Sequence, residues 1–268
     1  MSSISGMNSK HIDNSPVLYL DGVTVSFDGF RALNNLSMTI EKGEMRAIIG
    51  PNGAGKTTMM DVITGKTRPD EGTIRFSSAS SDANIKNTDY DLTQFDEASV
   101  ANLGVGRKFQ KPSVIESLTI FENLEMSLKG GRTIWQALFH KLSADQKIKL
   151  DEILALIDMS DKADELAGNL SHGQKQWLEI GMLLGQEPEL LLIDEPAAGM
   201  TDEETMKTAE LFKTLAKTHS LMVVEHDMDF IEALNCKVTV LNEGSVLAEG
   251  TLQEVKANED VIEKYLGR

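Results

Sequence analysis

Alternating apolar and polar positions open the chain and indicate strands. Residues 18–27 and 36–40 show this alternation and predict two antiparallel strands. The continuous apolar run Met45–Ile49 predicts a buried strand. A glycine-rich turn follows it. The next segment, 58–64, can be helical, with Gly65 in the position that commonly ends a helix.

Apolar runs alternate with helical patterns along the rest of the chain. Residues 118–129 and 143–159 predict helices, and few strand-like runs lie between Gln110 and Leu170, so a helical lobe inserted into an α/β core is expected. The segment 77–93, rich in Ser, Asn and Asp, is expected to be a loop. The other expected elements are strand 72–76, strand 190–193, helix 201–218, strand 221–224, hairpin 238–248 and closing helix 252–266. Alternating strands and helices predict the α/β class, with a parallel sheet covered on both faces.

Composition restricts the class of protein. The 268 residues are 41% hydrophobic, enough for one large globular unit or one unit with a lobed insertion. The 42 acidic and 26 basic residues give a net charge of −16, which argues against a nucleic-acid-binding surface. The single cysteine, Cys236, excludes an intrachain disulfide framework and fits a reducing compartment. We interpret it as a packed small residue rather than a catalytic thiol.

The sequence also lacks a membrane-crossing pattern. No apolar run approaches the roughly 20 residues that cross a bilayer. Residues 1–16 are polar and are expected to form a flexible leader without the apolar core of a signal peptide. A cytoplasmic protein is therefore expected, with any membrane part on a separate chain.

The glycine-rich turn between the buried strand and the next helix has the context of a phosphate-binding loop. Glycines let the backbone turn its N–H groups inward, and the new helix directs its positive end to the same point. Lys56 is expected to reach the β- and γ-phosphates of a triphosphate, and the Thr57 hydroxyl to ligate Mg²⁺. The predicted loop residues are Gly50, Pro51, Asn52, Gly53, Ala54, Gly55, Lys56, Thr57 and Thr58.

Two carboxylates follow the apolar run 190–193. Ligands bind at the carboxyl ends of strands in open α/β sheets, so Asp194 is expected to hold Mg²⁺ and Glu195 to polarise the attacking water. His226 follows the strand 221–224 in the same way and is expected to contact a γ-phosphate. The other reading of this histidine is a surface residue or a satisfied core group.

A second anion site is predicted from the spacing of a serine and a glutamine. Ser171 and Gln174 are three residues apart, as in a capping box at the start of a helix. A capped helix start with a glycine at its mouth attracts anions. The predicted residues are Ser171, His172, Gly173 and Gln174. This site and the phosphate loop are expected to lie too far apart to serve one nucleotide, which implies a head-to-tail dimer.

With these residues in view, the chain resembles the nucleotide-binding subunit of an ATP-binding-cassette (ABC) transporter over residues 17–268. Residues 50–57 match the Walker A motif, 190–195 the Walker B motif, 170–174 the family signature, 198–202 the D-loop and His226 the switch histidine. The signature departs from the usual form at His172, while Gly173 is kept. The resemblance implies a P-loop NTPase fold with a RecA-like core and an antiparallel β subdomain in 17–111 and 173–268. It implies a helical subdomain in 112–172.

The resemblance also implies roles for residues that spacing alone does not assign. Gln110 matches the Q-loop glutamine, which contacts Mg²⁺ and water and links the core to the helical lobe. Phe27 lies where the family stacks an aromatic ring on adenine, with Phe30 as a second candidate and a core strand residue as the other reading. ATP and Mg²⁺ are the implied cofactors.

The implied partners are a second ABC ATPase and a membrane permease. A different ATPase is expected, with a homodimer as the alternative, together with two transmembrane permease subunits and, indirectly, a periplasmic substrate-binding protein. The chain is then expected on the inner face of the cell membrane, held there by the permease. No nucleic-acid partner is expected.

The finer resemblance is to importers of branched-chain amino acids and urea. The blocks VSFDGFRALNNL, GRKFQKPSV and LSHGQKQWLEIGMLL are most similar to the urea importer's ATPase subunit. The alternatives are an importer of branched-chain amino acids or another amide, and an ATPase of lipopolysaccharide export. Outside transport, family members that assist iron–sulfur assembly are a further alternative. Translation factors of the family carry two cassettes in one chain and DNA-repair ATPases a long coiled coil, and the sequence has neither feature. A binding module without turnover is expected to lack Glu195 or His226, and both are present.

Overall fold

The computed structural model describes residues 16–79, 87–108, 114–129 and 142–267. Their strands form two sheets, one of four strands and one of six. The strands are β1 (Pro16–Phe27), β2 (Phe30–Glu41), β3 (Met45–Ile49), β4 (Glu71–Ala79), β5 (Asn87–Asp91), β6 (Val105–Lys108), β7 (Leu190–Asp194), β8 (Ser220–Val224), β9 (Lys237–Asn242) and β10 (Ser245–Gly250).

The smaller sheet is antiparallel, with the order β2-β1-β4-β5. Tyr19 pairs with Thr39 across β1 and β2, and Leu18 pairs with Phe76 across β1 and β4. Burial alternates along residues 36–40 of β2, as the sequence pattern predicted. In β1 the alternation stops at residues 23–25, which are all buried beside shifts in the pairing register with β2.

The larger sheet has the order β10-β9-β3-β8-β7-β6. Strands β9, β3, β8, β7 and β6 pair in parallel, and β10 is joined antiparallel to β9 as the predicted hairpin. Every residue of β7 and β8 is buried, because helices cover both faces of a parallel sheet. The strand ends after β3, β7 and β8 therefore meet at one edge.

The helices are α1 (Lys56–Ile63), α2 (Glu97–Leu103), α3 (Ile120–Ser127), α4 (Ala144–Leu156), α5 (His172–Gly185), α6 (Asp202–Leu215), α7 (Met228–Leu234), α8 (Leu252–Ala257) and α9 (Glu259–Val261). Reciprocal capping boxes begin α3, α4, α5, α6 and α8. None of these helices, within the described residues, has the length and hydropathy to cross a bilayer.

Helices α3 and α4 pack against α5. Leu124 and Ile153 reach Gly181, where an added Cβ would lie 3.0 Å from a Leu124 methyl carbon. Glycine at this position therefore lets the three helices approach closely. Both described helices of the predicted lobe lie within residues 112–172, and the subdomain boundaries themselves remain a prediction.

The structure corrects three expectations. The polar segment 77–93 is not wholly loop: Ser77–Ala79 extends β4, and β5 pairs with it as an edge strand whose polar side chains hid the pattern. Helix α1 begins at Lys56, two residues before the predicted start. The closing segment is not one helix, because the Asn258 side chain accepts from the Val261 amide and starts α9 anew, before a π-helical turn at Ile262–Leu266.

Candidate nucleotide-binding site

The phosphate loop connects β3 to α1 and is braced by the hairpin of β9 and β10. Gly50 lies so close to Leu241 that an added Cβ would be 2.2 Å from its carbonyl oxygen. The Gly244 amide donates to Ala54 O at 3.1 Å, and Gly244 O accepts from Asn34 N at 2.9 Å. Gly55 precedes α1 with φ 98°, and no side chain caps that helix. The β9–β10 hairpin thus holds the loop in place, and no side chain caps the first backbone amides of α1.

Lys56 closes the loop from within. Its Nζ donates to Gly50 O at 2.6 Å and to Pro51 O at 2.9 Å. Burial lowers the pKa of this ammonium, and the carboxylates of Glu195 and Asp194 act in the opposite direction. The lysine is therefore electrostatically coupled to the predicted acidic residues across the sheet edge.

The acidic strand end after β7 contains one buried and one half-exposed carboxyl. Asp194 is 4% exposed, and burial raises its pKa, opposed mainly by Arg107 on β6. Glu195 has φ 46° and donates its amide to Val224 O at 2.9 Å. This positive φ turns the chain out of β7 directly after Asp194.

His226 lies beside Glu195, because the two residues follow the ends of the neighbouring strands β8 and β7. Its Nδ1 is 3.8 Å from Glu195 Oε1 and 3.4 Å from Glu225 Oε2, and its side chain is 64% exposed. The structure thus brings together the predicted water-polarising residue and the predicted γ-phosphate contact at one exposed position.

The signature residues begin α5 with the predicted capping box. Ser171 Oγ accepts from the Gln174 amide at 3.2 Å, and the Ser171 amide donates to Gln174 Oε1 at 3.0 Å. His172 Nε2 lies 3.2 Å from Ala198 O, a residue of the predicted D-loop. Among the described residues, no hydrogen bond or ion pair joins Ser171–Gln174 to the phosphate loop, and the assignment of two separate half-sites stays a prediction.

The structure describes one of the two remaining predicted residues, Phe27, but not Gln110. Phe27 ends β1 and is 50% exposed, so the core reading of this ring does not hold, and Phe30 across the hairpin is 65% exposed. Either ring is free to meet a ligand. Gln110 lies outside the described residues.

The predicted magnesium ligands have oxygen donors. Thr57 is exposed in the first turn of α1, and Asp194 contributes a carboxylate. Within the described part of the chain, no group of three or more His, Cys, Asp or Glu residues could hold a metal ion alone. This donor set fits Mg²⁺, which typically binds one or two protein oxygens together with substrate phosphates and water.

Sequence reasoning assigned no role to two carboxylates that the structure places against the site. Glu225 is 1% exposed and accepts backbone N–H groups from the loops after β7 and β8. Glu204 accepts from Ser171 Oγ at 3.0 Å. The spacing of Thr201 and Glu204 signals a capping box, whereas nothing local signals the contacts of Glu225.

Known proteins are similar to this chain over most of its length. The family model described as ABC transporter matches residues 33–198. The high-affinity branched-chain amino acid transport ATP-binding protein LivG of Salmonella typhimurium is 32% identical, covering 95% of this chain and 99% of the relative. The corresponding protein BraF of Pseudomonas aeruginosa is 31% identical, covering 94% and 98%.

Solved structures agree with the fold. A nucleotide-free ATP-binding cassette from an ABC transporter has a TM-score of 0.78 at 29% identity, covering 95% of this chain and 100% of the other. The ADP conformation of an ATP-binding cassette has a TM-score of 0.77 at 30% identity, with the same coverage. The chain belongs to the ABC transporter family, and its fold is that of the ATP-hydrolysing, nucleotide-binding cassette.

Proposed function

We propose that this chain hydrolyses ATP to drive an importer of branched-chain amino acids. The observation that carries the ATPase assignment is the convergence of Lys56, Asp194, Glu195 and His226 at one edge of the large sheet. The relatives named for branched-chain amino acid transport, matched along almost their full length, support the cargo. They favour this cargo over urea, and the urea expectation gains no support from their names.

The triphosphate binds in the loop between β3 and α1. Lys56 Nζ donates to Gly50 O and Pro51 O at the centre of this loop, and in the proposal it donates to the β- and γ-phosphates of ATP. The first amides of α1 receive a phosphate, because no side chain caps them. Phe27 is the proposed platform for adenine, and Phe30 is the neighbouring alternative.

A bound Mg²⁺ would neutralise negative charge on the phosphates of ATP, and side-chain oxygens of this chain would hold it. Thr57 and Asp194 are its proposed protein ligands, with Gln110 as the third. Burial raises the pKa of Asp194, and a bound cation would act in the opposite direction by stabilising the ionised carboxylate.

Glu195 orients the attacking water and accepts its proton, while His226 holds the γ-phosphate. His226 Nδ1 lies 3.8 Å from Glu195 Oε1, so both side chains are close enough to act on the same γ-phosphate and its attacking water. Catalysis of phosphoryl transfer consists mainly of positioning the reactants and stabilising charge, so the effect of Glu195 and His226 on the rate depends on where their side chains lie.

In this proposal each complete ATP site combines the phosphate loop of one ATPase with the signature residues of another. Ser171, His172, Gly173 and Gln174 close on nucleotide held by the phosphate loop of the partner, so hydrolysis opens a dimer. The partner is a second, different ATPase or a copy of this chain. The dimer acts on two permease subunits at the inner face of the membrane, and a periplasmic binding protein delivers cargo.

Glu195→Gln tests the hydrolytic site. The amide keeps the size of the side chain but cannot accept a proton, so ATP affinity should stay within about twofold while turnover falls at least about a hundredfold. Lys56→Ala should instead lose ATP affinity. Normal turnover in the first variant, or normal binding in the second, would contradict the assigned roles.

The cargo is tested with the assembled transporter in proteoliposomes. ATP hydrolysis should increase when the binding protein is loaded with leucine, isoleucine or valine. Stimulation by urea alone would overturn the amino-acid assignment and restore urea as the cargo. Stimulation by neither, with ATP hydrolysis intact, would reject both cargoes while leaving the ATPase assignment in place.

A further inference from the structure

We propose that Glu225 is a positioning residue that fixes Glu195 and His226 relative to one another. The inference rests on the roles proposed above for these two residues. Glu225 follows β8 and is 1% exposed, although it carries a carboxyl group. A buried carboxylate persists only where hydrogen bonds compensate its lost hydration.

The carboxylate of Glu225 binds both loops that hold the catalytic pair. Its Oε1 accepts from the Ala197 amide at 3.1 Å, in the loop that begins with Glu195. Its Oε2 accepts from the His226 amide at 2.7 Å and from the Asp227 amide at 3.3 Å. One carboxylate therefore joins the chain after β7 to the chain after β8.

Another hydrogen bond between described residues joins the chain after β7 to β8. The Glu195 amide donates to Val224 O at 2.9 Å, which anchors the start of the first loop to β8. The bond from Ala197 to Glu225 fixes the next part of that loop, two residues beyond Glu195. Without the bond from Ala197 to Glu225, the Glu195 side chain can point in a wider range of directions.

The three amide donors require acceptors on both oxygens of residue 225. A glutamine offers one carbonyl oxygen and turns an NH₂ group toward the remaining donors, so it cannot satisfy both loops. The carboxylate also lies 3.4 Å from His226 Nδ1, near enough to influence the orientation of the ring. The expected consequence of Glu225→Gln is a displaced catalytic pair in an otherwise intact nucleotide site.

Displacement of a catalytic group by about 1 Å can reduce a rate about a hundredfold. We therefore expect Glu225→Gln to reduce kcat at least about tenfold while the Kd for ATP, measured with a fluorescent ATP analogue, stays within about twofold. A purely structural role predicts a lower melting temperature without this separation of kcat from Kd. Wild-type kcat in the folded variant would overturn the proposal.

Glu44→Gln is the matched control. Glu44 precedes β3 at the opposite edge of the sheet, and its carboxylate accepts from the Glu41 amide at 2.8 Å and from Arg46 Nε at 2.5 Å. The Glu44→Gln variant therefore loses the same charge as Glu225→Gln and also alters a carboxylate that accepts a backbone N–H group. Glu44 lies far from the strand ends that form the site. The kcat of this variant should remain within about twofold of wild type. A tenfold loss of kcat in Glu44→Gln would show that removing a carboxylate far from the site has the same effect, and would overturn the proposal.

A double-mutant cycle separates positioning from independent action. In a His226→Ala background, Glu225→Gln should reduce kcat much less than it does in the wild type, because one of the groups it positions is gone. Independent, multiplicative losses would overturn the proposal. Should Glu225→Gln not fold, Glu225→Asp keeps the charge but shortens the reach to Ala197, and should reduce kcat at least about fivefold. Wild-type kcat in that variant would likewise reject the idea.

The outcome for Glu195→Gln distinguishes this inference from the proposed function. If Glu195→Gln is inactive and Glu225→Gln is fully active, the ATPase mechanism stands and only the positioning role fails. If Glu195→Gln retains full turnover, the proposed mechanism fails first, and Glu225 has no catalytic pair to position.

Discussion

The Ser171 hydroxyl donates a hydrogen bond to Glu204 Oε1 over 3.0 Å. The other oxygen of Glu204 accepts from Thr201 N at 3.0 Å and Thr201 Oγ1 at 3.1 Å. The bond from the Thr201 backbone is the largest of the effects that hold the pKa of Glu204 below its usual value. One anionic carboxylate therefore joins the starts of α5 and α6, at the half-site proposed to receive a phosphate.

Glu204→Gln should make ATP-driven dimer formation easier. The γ-phosphate must approach Ser171 against the negative charge of Glu204, whereas glutamine keeps the capping geometry without the charge. Removing the repulsion between the partly exposed Glu204 carboxylate and the γ-phosphate should favour dimerisation by about 1 kcal/mol. The ATP concentration for half-maximal dimerisation should therefore fall about three- to tenfold. Sedimentation of the chain with its partner ATPase, both blocked in hydrolysis, measures this concentration.

Glu203→Gln is the control for net charge. Glu203 immediately precedes Glu204 in α6, is exposed, and its Oε1 lies 3.1 Å from Lys207 Nζ. It loses the same charge without touching Ser171, so its dimerisation should resemble that of the unmodified chain. An unchanged or higher ATP requirement for Glu204→Gln would show that its carboxylate does not compete with phosphate.

The parts of the site that depend on local chemistry could be predicted from the sequence. Ser171 and Gln174 lie one helical turn apart, so their reciprocal bonds need no tertiary contact. The strand Leu190–Asp194 is apolar along its length because both sheet faces are covered, and its polar end is therefore recognisable. The same reasoning gave β3 and the helix after the phosphate loop.

The parts that depend on distant contacts could not be predicted. Glu225 and Ala197 are 28 residues apart, and Ser171 and Glu204 are 33 apart, so no spacing rule connects them. Strand β5 escaped prediction for a related reason. Its side chains are mostly polar because it lies at a sheet edge, and only its pairing with β4 makes it a strand.

Gly50→Ala and Gly173→Ala should differ sharply in stability. A Cβ at Gly50 lies 2.2 Å from the fixed Leu241 carbonyl, and its φ of 149° is strained for alanine, so unfolding free energy should fall by at least about 2 kcal/mol. A Cβ at Gly173 meets the end of the Glu204 side chain at 2.6 Å, which can rotate away. That variant should stay within about 1 kcal/mol of wild type in denaturant unfolding.

Each glycine variant serves as the control for the other. Gly173→Ala should remain folded yet require at least about tenfold more ATP to dimerise, because the added methyl group narrows the approach to α5. Equal stability losses in the two variants would contradict the contact geometry. Normal dimerisation of Gly173→Ala would remove this glycine from the proposed phosphate site.

Thr208→Val should destabilise the contact between α5 and α6. Trp177 Nε1 donates to Thr208 Oγ1 at 2.9 Å, and both side chains are buried. Valine has the same shape but no acceptor, so the indole N–H is left unpaired at a cost of about 1–3 kcal/mol. Urea unfolding followed by circular dichroism measures the loss. Thr214→Val, on the same helix, is the control because the Thr214 side chain is exposed and its hydroxyl donates to Glu210 O. An equal loss of stability in this variant would contradict the role of Trp177.

Cys236 should react slowly with thiol reagents while the protein is folded. Burial is the main cause that raises its pKa from 9.0 to about 11, and the thiolate is the reactive form. At pH 8 its thiolate fraction is then about a hundredfold lower than in the unfolded chain, and Ellman's reagent should react more slowly by a similar factor.

The same shift gives a direction for stability against pH. The folded chain retains the thiol proton up to about pH 11, whereas the unfolded chain begins to release it near pH 9.0, so this residue's contribution is fully present below pH 9.0 and declines as pH rises from there to about 11. Cys236→Ser should remove both the Ellman signal and this part of the pH dependence. Equal reaction rates for the native and urea-unfolded chain would show that the thiol is open to solvent, and would contradict its packing between α7 and β9.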